Sequence, residues 1–172
     1  MAFIVWCASE HRTKPQDTRL LIIARAFVAA DMHVVKELNG LLIADNKRPD
    51  GLTLLPWQEG KPLAWDVTVI CPLAVSYVSG YTPGAAAELA ASRKCEKYAN
   101  LPNSYIFQPI AFGNLDTLNS SAVAFISSLG CKISTKSNDL REFTFLFQCL
   151  AITLQHFNPV LLRESFASDP DK

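Results

Sequence analysis

Apolar residues recur along this chain at two spacings that give way to one another from segment to segment. Over residues 18–30 (TRLLIIARAFVAA), Leu20, Ile23, Ala24, Phe27 and Ala30 fall at three- and four-residue steps. That spacing predicts an amphipathic helix, with Asp17 placed to cap its start. Residues 33–38 (HVVKEL) form a short strand candidate ending at the turn pair Asn39-Gly40. Two β-rich runs follow, residues 52–55 and 64–70, separated by the turn residues Gln58-Glu59-Gly60-Lys61-Pro62. They read as a hairpin.

Beyond a Ser/Gly/Pro-rich loop, residues 84–99 (GAAAELAASRKCEKYA) give the clearest helix, with Pro83 just before or at its first turn. Residues 105–112 (YIFQPIAF) read as a strand in which Pro109 marks an edge or a bulge. A helix over residues 120–129 is expected to stop at Gly130. A long amphipathic helix over residues 139–157 is expected to close at Asn158-Pro159. The order is that of a mixed α/β domain without internal repeats. Residues 1–10 are unassigned, residues 11–166 form the domain, and residues 167–172 read as a flexible tail.

Composition narrows the picture. The 172 residues are 49% hydrophobic and 19% charged, enough apolar material for a core. Lys and Arg number 16 and Asp and Glu number 16, which excludes a polycation held to DNA or anionic lipid by bulk charge. Any grip on a polyanion must come from a local patch, such as Lys47, Arg48, Arg93, Lys94 and Lys97 gathered at one edge. Cys7, Cys71, Cys95, Cys131 and Cys149 are odd in number and widely spaced. They read as free thiols buried as small hydrophobes in a reducing, intracellular compartment. No run approaches the roughly 18 apolar residues of a membrane span, so no membrane is expected as a partner.

Chemistry concentrates in three places. Asp66 interrupts a hydrophobic strand. By alternation it shares one face with Thr68, while Trp65, Val67 and Val69 take the other. A carboxylate there is usually paired or metal-bound. The hairpin can return Asp50, in Arg48-Pro49-Asp50, to the side of Asp66, and two converging carboxylates suit Mg²⁺. Glu37 is a candidate third ligand. On the following helix Lys94 and Tyr98 share a face with Lys97 beside them, and a lysine there can hold an attacking water or steady a phosphate. The same residues admit plainer roles. Arg48–Gly51 can be a β-turn, Asp66 a structural ion-pair partner, and the lysines a solvated helix face.

Taken together, the blocks KRPDGLTLLPW, WDVTV, KCEKY and FLFQ resemble the restriction-endonuclease-like domain at the C-terminus of certain animal non-LTR retrotransposon polyproteins, downstream of the reverse transcriptase. The resemblance covers residues 11–166. It implies a PD-(D/E)XK core, a central mixed sheet flanked by helices. It also implies Mg²⁺-dependent nicking of target DNA, with Mn²⁺ as a substitute, to prime reverse transcription. Asp50 matches the Asp of the PD motif, Asp66 the second acid, and Lys94, Lys97 and Tyr98 the KxxKY helix. The superfamily's usual lysine, two residues after the second acid, is here Thr68; the resemblance implies that its role passes to Lys94 or Lys97. DNA is the implied partner, with element RNA or other polyprotein domains beside it, in a nuclear setting. The alternative expectation is an inactive remnant that binds nucleic acid or a partner protein. Neither a reverse transcriptase nor a Cys/His zinc knuckle is present in the 172 residues.

Overall fold

In the computed structural model, which describes residues 15–36, 48–70, 84–113 and 117–166, helix α1 (Pro15–Ala29) begins at a proline. Proline presets the helical φ, and its missing N–H costs nothing at that position. Asp17 therefore lies inside the first turn rather than at the cap expected from the sequence. Ile22, Ile23, Ala26 and Phe27 form the buried stripe of α1. Arg19 is buried with them, its guanidinium 5.2 Å from the Phe112 ring centroid. Among the described residues its three nitrogens have no hydrogen-bond partner, and burial lowers its pKa to about 10.

Among the described residues the fold is α/β, a four-stranded mixed open sheet with four helices. Strands β1 (Val34–Lys36), β2 (Gly51–Thr53) and β3 (Leu63–Ile70) pair antiparallel in sequence order. Helix α2 (Ala85–Lys97) then carries the chain to β4 (Ile106–Gly113), which pairs parallel with β3. Glu59 and Gly60 take φ 51° and 72° in the β2–β3 connection, the left-handed conformation that tight hairpin turns need. β4 ends the sheet, which suits Pro109, expected from the sequence at an edge.

Alternation along β3 sends its side chains into two separate cores. Trp65 and Val67 join Ile110 and Phe112 against α1, α3 (Ser120–Ser137) and α4 (Arg141–Phe166). Ile70 packs on the other face with Ala111 and the α2 alanines Ala87, Ala90 and Ala91. Alanine keeps that interface thin, so α2 lies close to the sheet. Asp66 faces this second layer.

Two helix ends fall elsewhere than the sequence suggests. α3 runs through Gly130 and ends at Asn138, which caps it with φ 55°. Gly130 is there for packing, since a Cβ on it would meet Phe143 Cδ2 at 2.9 Å. α4 continues past Asn158-Pro159 to Phe166. A helix already several turns long meets a proline as one lost hydrogen bond rather than as an obligatory stop. No described helix is long and apolar enough to cross a membrane. Of the cysteines expected to be buried, Cys149 is, but Cys95 and Cys131 are exposed on helix surfaces. Cys7 and Cys71 lie outside the described residues.

Candidate active site

The β2–β3 ladder pairs Gly51 with Trp65, so the preceding residue, Asp50, arrives opposite Asp66. Asp50 Oδ2 accepts a hydrogen bond from the Val67 amide at 2.7 Å, which fixes the carboxylate against β3. Gly51 makes this approach possible. A Cβ there would meet Trp65 Cζ2 at 2.1 Å, and Trp65 is fully buried. Gly51 thus does more than close a turn: it opens β2 and lets the indole lie against the backbone. Gly51→Ala is expected to destabilise the chain by about 1–3 kcal/mol through overpacking, read as a lower urea midpoint.

From the other side α2 delivers Lys94 and Tyr98, one turn apart on the face that meets the sheet. Lys94 Nζ lies 2.5 Å from Asp66 Oδ1 in an ion pair whose side chains are 23% and 3% exposed. The Tyr98 hydroxyl lies 2.7 Å from Asp66 Oδ2 and 2.6 Å from the Arg48 carbonyl oxygen. Both Asp66 oxygens therefore have partners. Burial first, then its contact with Asp66, pushes the Tyr98 phenol well up, so it stays a proton donor. Lys97 is placed differently: it is exposed, with Nζ 4.9 Å from the Tyr98 ring centroid.

Asp50 carries the strain of the site. Burial, and after it the charge of Asp66, raises its pKa to about 6, against smaller opposing pulls from the Val67 amide, Lys94 and Lys97. Two carboxylates that penalise each other in this way suit a divalent cation, and Mg²⁺ is commonly held by one or two carboxylates plus substrate phosphates. Asp50 and Asp66 are the residues that could hold one. Among the described residues no group of three or more His, Cys, Asp and Glu side chains gathers as a metal site. Glu37, the expected third ligand, lies outside the described residues.

No family model matches the chain, and no curated protein matches it.

Asp50, Asp66, Lys94, Lys97 and Tyr98 thus come together around the start of β2, and among the described residues Lys94 touches an acid while Lys97 lies on the Tyr98 ring. Sequence reasoning missed three participants: the Arg48 carbonyl, the Val67 amide and the Gly51–Trp65 contact. The first two are backbone groups, which every residue carries and no motif marks. The third had a signal, since a glycine opposite a tryptophan across a hairpin invites a test of fit.

Proposed function

We propose that this chain is a metal-dependent DNA endonuclease domain of the PD-(D/E)XK type, of the kind that nicks target DNA in non-LTR retrotransposition. The observation that carries the reading is the arrival of Asp50, Asp66 and Lys94 at one point from β2, β3 and α2. The sequence resemblance across residues 11–166 supports it, as does the mixed sheet with helices on both faces. In this reading Asp50 and Asp66 hold Mg²⁺ or Mn²⁺. The cation, when bound, supplies positive charge at the scissile phosphate and makes water a better nucleophile. Lys94 leaves its pairing with Asp66 to donate to the phosphate as negative charge develops there. Lys97, with Arg48 and Arg93 exposed nearby, grips neighbouring phosphates and contributes to binding rather than to the chemical step. With net charge zero, that grip is weak and strongly salt-dependent in isolation.

Purified chain with Mg²⁺ and supercoiled plasmid is the direct test. Nicking is expected, reduced by about 100-fold or more in Asp50→Ala, in keeping with the loss of an electrostatic catalytic group. Equal nicking by Asp50→Ala and the parent chain would sink the reading. A second reading, a non-cutting remnant that binds nucleic acid or a partner protein, is favoured by one contact: Asp66 is already charge-paired with Lys94. Calorimetric titration with Mg²⁺, with Asp66→Asn as control, separates the two, because a remnant has no need to bind metal.

A further inference from the structure

We propose that Tyr98 is a positioning residue of this site, clamping the turn that carries Asp50 to the Asp66 carboxylate through a single shared hydroxyl proton. The proposal deepens the cation-site reading above and rests on it for its functional meaning, though not for its geometry.

A phenol has one proton, and here two acceptors lie within reach of it, the Arg48 carbonyl oxygen at 2.6 Å and Asp66 Oδ2 at 2.7 Å. Arg48 precedes Asp50 by two residues. The segment is therefore held at its backbone by Tyr98 and at the Asp50 carboxylate by the Val67 amide at 2.7 Å. Neither hold is local, since Tyr98 is 50 residues from Arg48 and Asp50 is 17 from Val67. The phenol itself is fixed in place. The residue is 2% exposed, and its ring centroid lies 4.6 Å from that of Phe107 on β4. Its amide donates to the Lys94 carbonyl at 3.0 Å, closing α2, and its own carbonyl accepts from the Leu101 amide at 3.0 Å. A ring anchored by the helix end and by β4 is a rigid post.

Tyr98 touches no reacting atom in this scheme. It fixes where one acid stands relative to the other, which decides whether two carboxylates can share one cation. The sequence pattern placed Tyr98 beside the lysines; the geometry assigns it to the acids.

The experiment uses the full ¹⁵N-labelled chain and Tyr98→Phe, which keeps the ring on Phe107 and removes only the hydroxyl. Amide hydrogen exchange at Val67, the donor to Asp50, is expected to accelerate by about tenfold relative to Ile126 in the core of α3. Equal acceleration at both amides, the mark of general loosening, overturns the proposal, and so does an unchanged rate at Val67. In parallel, calorimetry with Mn²⁺ alone is expected to show about five- to tenfold weaker binding in Tyr98→Phe. Undiminished Mn²⁺ affinity in the variant counts against the clamp. If the parent chain binds no Mn²⁺, the cation reading of the site fails, and Val67 exchange still decides the clamp.

Discussion

Lys94→Met and Lys97→Met are expected to part company by about 2–4 kcal/mol in stability and by about 100-fold in nicking, although the two lysines are one helical turn apart. Lys94 Nζ sits 2.5 Å from a carboxylate that is almost wholly buried. Removing the ammonium leaves the Asp66 charge in a poorly solvated place with, among the described residues, the Tyr98 hydroxyl as its side-chain partner, and breaking a buried pair by deleting one partner is among the costlier single changes. Lys97 is exposed and, among the described residues, lies against the face of the Tyr98 ring, 4.9 Å from its centroid. Its loss should cost no more than about 0.5 kcal/mol, the scale of an exposed cation–π contact. Urea denaturation checks the first difference and plasmid nicking the second. Equal effects of the two substitutions on both measurements would mean that α2 is rotated about its axis from the orientation described.

Asp50→Asn is expected to do the reverse for stability, raising it at neutral pH while abolishing nicking. Asp50 titrates near 6 in the folded chain against an ordinary 3.8. Between these values the folded state binds a proton that the unfolded state has released. The stability associated with this group is therefore fully present below about pH 4 and is lost as pH rises through about 6. Two pKa units correspond to nearly 3 kcal/mol, and partial exposure of the carboxylate reduces this to about 1–2 kcal/mol. Asparagine keeps an oxygen for the Val67 amide and carries no charge to desolvate. In a chain of this size the gain corresponds to about 3–6 °C in melting temperature at pH 7.5, vanishing at pH 4. Parallel pH profiles for the parent chain and Asp50→Asn would show that Asp50 is better solvated than its place beside Asp66 implies.

Much of the site was legible because it depends on short-range regularities. Strand alternation puts Asp66 and Thr68 on one face of β3, and a hairpin register fixed by a tight turn puts Asp50 opposite Asp66. What was not legible depends on distance and rotation. The sequence gives no means to choose between Lys94 and Lys97, because both lie near one helical face and only the docking angle of α2 decides which reaches an acid. Gly130 looked like a stop signal, since a glycine after an apolar helical run ends a helix more often than it admits a neighbour. Here Phe143, thirteen residues on, needs the space. Asn158-Pro159 misled for a similar reason: local propensity favours a break there, and a long helix can carry one unfavourable residue. The nuclease reading and the proposal of a DNA target rest on the resemblance and on the proposed chemistry, whereas the mixed α/β order and the β2–β3 hairpin follow from the pattern itself.

Asp50 and Gly51 are neighbours in the chain but answer to opposite pressures. The glycine is kept by packing: any side chain there collides with Trp65 whether or not the chain cuts DNA. The aspartate carries a charge that the fold does not need, and asparagine is expected to restore the stability which that charge costs. In relatives without the proposed activity, Asp50 is therefore expected to vary while Gly51 and Trp65 stay paired. The two adjacent positions thus separate what the packing of the fold requires from what the proposed chemistry requires.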